Sequence, residues 1–405
     1  MKPGWALEMR PGMTKALDHA RTVSPYHSFK KDDFTSEEVD LANRCHGHHL
    51  EGLNLEITPA GMHYLLIHFD IPTDIEEATY RLKLHGLVDR ELDLSMADIR
   101  RRPRVSVPVT MECAGNGRIN MKKRYWTHVP WKYGAVGTAV WTGTPLKDLL
   151  EEAGLQDKAI ELLFTGLDQG VQGGEMQYYQ RSLTIDDATR NEVILAYEMN
   201  GQPLLPQHGA PLRLIVPGWY GMTNVKWLDS IEAISTPFDG YQMQAYMYTR
   251  YPGDKEGERM RHLKVRSLMV PPGVPDFFTR VRLVEEGNVK LKGRAWAGPL
   301  AVKQVLVSVD GGVTWAEATL AAKGVGKFAW IAWSFEWRNA RAGAKHFLMT
   351  KAIDELGNVQ DNAEEWNYYA MGATVPQSVP VVVVSSAEWR ITGKPLPNPP
   401  RHPKL

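Results

Sequence analysis

Apolar and polar residues alternate with period two through much of this chain, and the alternating runs are short. Tyr80 to Val88 reads as a half-buried strand. Arg104 to Met111 alternates again, and Pro108 inside it, having no N–H for a ladder, argues for an edge strand or a bulge. Pro145 to Gly154 predicts a short helix with proline in its first turn and glycine at its end. No strand–helix alternation persists long enough for a doubly wound sheet, so residues 61–260 are expected to form a mixed α+β unit. From Leu263 to Met371 the texture changes. Val289 to Trp296, Val302 to Val309, Trp330 to Trp337 and His346 to Ile353 are strand-like and separated by turn signals, as in a β-sandwich. Asp310-Gly311-Gly312 supplies the positive-φ residues of a hairpin between two of its strands.

These patterns divide the chain into an N-terminal arm (1–60), the α+β unit (61–260), a β unit (261–375) and a proline-rich tail (376–405), which is expected to lie on the surface or on a partner subunit. The longest apolar run, Val379 to Val384, is strand-sized, far from the ~18 residues of a membrane span. Basic and acidic side chains balance at 47 each, which removes the concentrated basic face that nucleic acid or an anionic membrane requires. Met1 to Glu8 has neither an apolar leader nor a twin-arginine pair. The chain as written is therefore expected in the cytoplasm; a trimmed mature form, expected in the periplasm, would read the same. Cys45 and Cys113 are read as independent thiols. Arg44-Cys45-His46-Gly47-His48-His49 is spaced too tightly to surround one ion with ease, and the arm around Cys45 offers no arrangement to fix a metal or a bridge.

Chemistry concentrates at Met111-Glu112-Cys113-Ala114-Gly115-Asn116-Gly117-Arg118. An alternating strand ends, a cysteine follows, and the glycine-rich turn offers successive backbone N–H groups beside the charge of Arg118. Both features are expected to favour a thiolate, the form that binds a soft metal or attacks an electrophile. The Gly-x-Gly within it lacks the third glycine and the helix of a dinucleotide site. An inert buried cysteine beside a tight turn is the alternative at this point.

Met111 to Arg118 resembles the molybdenum-binding cysteine loop of the sulfite oxidase family, and further motifs follow in the family's order: Pro130 to Gly143, Ala196 to Leu204, Gln207 to Gly218 and Val225 to Leu228. The residues from Leu263 onward resemble the family's immunoglobulin-like dimerisation domain. The resemblance implies a molybdopterin cofactor with Cys113 as the metal's protein ligand. It implies His68, Arg118, Asp168, His208, Arg213 and Lys226 as cofactor-binding residues, types suited to a polar anionic phosphate ester. It also implies Trp131 as a pocket wall and Tyr246 as the active-site tyrosine, with Tyr248 two residues on as the alternative. The implied reaction is oxidation of sulfite or a related sulfur oxyanion, with electrons leaving to an external acceptor such as a cytochrome. With two cysteines the chain carries no Cys-x-x-Cys-His, and no haem is expected.

One departure stands against these agreements. Family members carry an arginine two residues before the cofactor histidine, where this chain has Leu66 in Leu65-Leu66-Ile67-His68. Loss of that donor is expected to weaken anion binding by about 2–4 kcal/mol unless Lys122, Lys123, Arg124 or Arg250 substitutes. A neutral substrate, acted on by oxide reduction, is therefore a second reading. A non-catalytic binding protein and a thiol-nucleophile enzyme are two others. Trp315, Trp330, Trp333 and Trp337 are expected to give the β unit an apolar homodimer contact.

Overall fold

The structure is a computed structural model that describes residues 45–72, 74–121, 129–251, 254, 256–360 and 367–392. In the first unit the strands are β1 (Arg81–Gly86), β2 (Leu92–Ser95), β3 (Val105–Glu112), β4 (Val136–Pro145), β5 (Glu161–Gln172), β6 (Glu175–Thr184), β7 (Ile194–Met199), β8 (Gln202–Pro203), β9 (Arg213–Ile215) and β10 (Leu228–Ile234). They form two sheets, one in the order β2-β1-β10-β5-β6 and one in the order β3-β4-β7-β8 with β9 also on β7. β3 is an edge strand of the second sheet, which accommodates Pro108. Leu82, Leu84, Ile99, Leu149, Phe164, Leu195, Leu214 and Ile231 join the sheets in one buried core.

Helices are fewer than the α+β expectation allowed. The helix at Leu146–Ala153 starts after Pro145 and stops at Gly154, whose φ is 72°; the others described in this unit are shorter. The reason is local: most apolar residues recur with period two, and a period of two buries one face of a strand, not of a helix.

The second unit packs two sheets face to face. Arg266–Met269, Gly287–Trp296, Ile331–Ala340 and Thr319–Leu320 form one, and a six-stranded sheet forms the other. Leu291, Val305, Val307, Trp333, Leu348, Val381 and Val383 fill the space between them. The Asp310 turn forms as the sequence predicts, with φ of 76° at Gly311 and 93° at Gly312.

Two expectations need correction. Ser378–Val384, assigned to the tail, is an inner strand of the six-stranded sheet, parallel to Arg282–Glu285 and antiparallel to Lys345–Asp354. Its alternating valines bury Val379, Val381 and Val383, and Pro380 is accommodated there. The tryptophans are not a surface either: Trp330, Trp333 and Trp337 are buried, and half-buried Trp315 lies under the Lys351 ammonium. These large rings fill the sandwich and its seam with the first unit.

That seam holds a buried ion pair. Glu112, the last residue of β3, is met by Arg266 of the second unit at 2.5 Å, with side chains 0% and 2% exposed. Trp296 donates its indole N–H to the other carboxylate oxygen at 2.8 Å, and Asn116 donates to the first at 2.9 Å. Arg266 also donates to the Asn116 carbonyl at 3.0 Å. The turn must pass close to this guanidinium: Gly117 has φ 84°, and a Cβ there would lie 3.0 Å from Arg266 Nη2.

Arg266→Met is expected to cost about 3–5 kcal/mol, since it strands a buried carboxylate, and the added substitution Glu112→Gln should recover part of the loss; urea unfolding of the three proteins checks this. Ending the chain after Gln377 is expected to abolish cooperative melting of the second unit, read by calorimetry. A truncated chain with the full-length transition would mean that the last strand contributes nothing to the core.

Candidate functional site

Cys113 leaves β3 at the seam. Its backbone N–H donates to Ala135 at 2.9 Å, and its carbonyl accepts from Asn116 at 2.9 Å, which closes the turn. The thiol is buried, 8% exposed. Two adjoining cavities meet there, and Leu66, His68, Cys113 and Tyr246 line both.

The first cavity gathers Asp168, His208, Arg213 and Lys226 from separate elements. Asp168 comes from an irregularity in β5, where pairing with β6 skips from Thr165 to Gln169. His208 ends a short 3-10 turn, and its Nε2 bonds the Ala60 carbonyl at 2.9 Å. Gly209 follows with φ 102°, and a Cβ there would lie 2.9 Å from Lys226 Cβ. Arg213, at the start of β9, donates to the carbonyls of His208 at 2.8 Å and Asn224 at 3.1 Å and lies over the Trp141 ring. Lys226 donates to the carbonyls of Leu66 at 3.1 Å and Gln207 at 3.4 Å. The second cavity adds Arg118 and Trp131. Arg118 donates to Ala370 at 3.1 Å and Val129 at 2.7 Å.

Burial governs the electrostatics, because removal from water penalises whichever form is charged. It lowers His68 to about 3, helped by Lys226 and Arg181, and His208 to about 4; both imidazoles are neutral near pH 7. It lowers Arg213 to about 10. Burial likewise lowers Lys226 and raises Asp168, each opposed by the charge of the other. The turn N–H groups and Arg118, expected to favour a thiolate at Cys113, do act in that direction, but burial is the larger influence and raises the thiol to about 11.

Of the cations considered in place of Leu66, Arg250 is excluded. It is exposed and paired with Asp254 at 3.0 Å and Glu256 at 2.7 Å. Lys122, Lys123 and Arg124 lie outside the described residues. The two tyrosines differ clearly: Tyr246 Oη is 2.8 Å from His68 Nε2, whereas Tyr248 packs beneath Lys264 and against Gly372. Cys45 was expected to stand apart, yet it is buried in the same apolar cluster as Cys113 and lines the second cavity. The described end of the arm brings it there, through a β-bridge between His46 and Leu65.

Sequence reasoning missed His63, Tyr64, Tyr179 and Asn224, which also line the first cavity, and Arg181 behind it. His63 and Tyr64 stand within five residues of His68, so proximity to that histidine was an available signal. Among the described residues, the buried atoms His63 Nε2, Asp168 Oδ1 and Arg213 Nε have no hydrogen-bond partner. Orphaned polar atoms of both kinds beside a thiol, a soft donor type, fit a polar, anionic, metal-bearing group and would be costly in a cavity meant to stay apolar.

Residues 68–242 match the oxidoreductase molybdopterin binding domain, and residues 258–383 match the Mo-co oxidoreductase dimerisation domain. The sulfite oxidase of Arabidopsis thaliana is 33% identical over 342 residues, covering 77% of this chain and 84% of that protein. The mitochondrial sulfite oxidase of Mus musculus is 34% identical, covering 81% of this chain and 62% of that protein, so this chain spans less than two thirds of its length. Among solved structures, the sulfane dehydrogenase SoxCD from Paracoccus pantotrophus has a TM-score of 0.70 at 25% identity, over 81% of this chain and 82% of that one. With both domains matched in order and the identity sustained over most of the plant protein, this chain belongs to the sulfite oxidase family of molybdopterin-binding oxidoreductases.

Proposed function

We propose that the protein oxidises sulfite or a related sulfur oxyanion: the sulfur gains one oxygen derived from water, that water's two protons are released to solvent, and two electrons pass singly to an external acceptor such as a cytochrome. The observation that carries this reading is the Cys113 thiol on a wall common to two cavities, one rich in cofactor-type donors and the other closed by Trp131 and Tyr246. When bound, molybdopterin would supply the two-electron centre, with Cys113 as the protein ligand to its metal.

In this reading Arg213, Lys226, His208 and Asp168 hold the cofactor's polar groups, aided by Arg118 and His68. Arg213 and Lys226 are already oriented by backbone carbonyls, so little reorganisation accompanies binding. Neutral His68 fixes the Tyr246 hydroxyl, and burial keeps that phenol protonated, able to donate to a substrate oxygen. Trp131, 1% exposed, closes the wall against water. The second unit is read as an immunoglobulin-like sandwich serving a homodimer.

Leu66 favours a second reading. With Ile67, Val129 and Met371 it makes part of the substrate-side wall apolar, which suits a neutral substrate in an oxide reduction.

Cys113→Ser is expected to lose bound molybdenum and all turnover while retaining its circular dichroism, because a hydroxyl is a harder and far less acidic ligand. Retained molybdenum and activity would remove the reading. Leu66→Arg should lower the sulfite KM by roughly 30-fold or more if the substrate is an anion, and should sharpen inhibition by sulfate. An unchanged or higher KM with a lower Tm would instead favour the neutral substrate, since the new guanidinium would be buried without a counter-ion.

A further inference from the structure

Arg118 lines the substrate-side cavity, and Leu66 leaves open which further group adds positive charge there. Arg181, on β6, is 2% exposed. Among the described residues, its hydrogen bond runs from Nη1 to the Gln242 carbonyl, and its Nε is buried without a partner. No carboxylate pairs with it among the described residues. Arg259 is the neighbouring cation, and its own charge is met by Glu161 at 3.4 Å and Asp239 at 3.9 Å. An unpaired buried guanidinium is costly unless an anion completes it.

Its position says where that anion sits. The guanidinium carbon lies over the Tyr246 ring, 5.7 Å from its centre, and the hydroxyl of the same ring meets His68 on the cavity wall. Tyr246 lines both cavities, so one aromatic ring separates the charge from the place where a ligand would touch the phenol. We propose that Arg181 is a positioning and specificity residue: from behind Tyr246 it supplies the cationic field for the substrate anion that Leu66 does not. It reaches the substrate through the ring and the local field, without direct contact. The inference rests on the sulfur-oxyanion reading above.

The test uses the molybdenum-loaded protein, with sulfite kinetics, sulfate inhibition and melting with and without sulfate. At an effective dielectric of about 20, a unit charge one ring away changes anion binding by roughly 10- to 50-fold. Arg181→Met should therefore raise the sulfite KM and weaken sulfate inhibition by about that factor, with a smaller change in kcat. Its stabilisation by sulfate should disappear. Arg181→Lys should recover most of both effects, because the charge matters here more than the fork. Leu66→Arg added to Arg181→Met should restore the sulfate response, as expected of two residues serving one anion.

A residue that only packs would lower kcat or Tm and leave sulfate inhibition where it was; that result, with sulfite still oxidised, overturns this inference alone. If Arg181→Met does not fold, the lysine variant decides, and loss of its sulfate response overturns the proposal. A parent protein that neither oxidises sulfite nor is stabilised by sulfate brings down the oxyanion reading and this inference with it.

Discussion

The pairing of Glu112 with Arg266 sits where the two units join, and the position of Cys113 depends on it. Glu112 immediately precedes the cysteine, and its carboxylate is held by a guanidinium and an indole from the second unit and by Asn116 from the turn itself. A charge pair this deeply buried gains little over an apolar pair, but removal of either partner is expensive, so it selects one geometry over its alternatives. The same unit reaches the turn twice more: Gly372 donates its N–H to the Ala114 carbonyl at 2.6 Å, and Ala370 accepts from Arg118 at 3.1 Å. The domain matched as a dimerisation domain is thus also part of the scaffold that aims the thiol.

Around that thiol the charges do not balance. Among the described residues, Arg118, Arg181, Arg213 and Lys226 lie in or just behind the cavities. Asp168 is the carboxylate lining them, and the charge of Glu112 is committed to Arg266. Arg181 and Arg213 are held by carbonyl dipoles, which orient them without neutralising them, Lys226 faces Asp168, and the nearby imidazoles are neutral. Such an arrangement is at its most favourable with anions inside, because the desolvation of the cations has already been met in folding and an anion gains their field at low dielectric.

The fold was legible in local patterns, and several residues of the first cavity in the motifs of the family resemblance. Period-two alternation located β1, β3 and the sandwich strands, and proline and glycine bounded the Leu146–Ala153 helix. Cys113, His208, Arg213 and Lys226 stand in the motifs that carry the family resemblance, and all four line the first cavity. What misled was composition taken for environment. The C-terminal prolines drew Val379 to Val384 into a tail, although the alternating valines already described a strand. The tryptophans looked like surface only because the depth of the sandwich is not written in any one strand.

By itself the sequence determined which residues were competent: a thiol after a strand, cations at motif spacings, an aromatic pair with Tyr246 or Tyr248, and an apolar Leu66. Tertiary structure decided which of them meet. Glu112 and Arg266 are 154 residues apart, and His68 and Tyr246 are 178 apart; nothing local in either segment names its partner. Arg181 looks like an ordinary strand residue until helix Tyr241–Ala245 and Tyr246 close over it. Protonation follows the same division, because the pKa of a thiol or an imidazole is set by the water it loses, and that loss exists only once distant strands have packed.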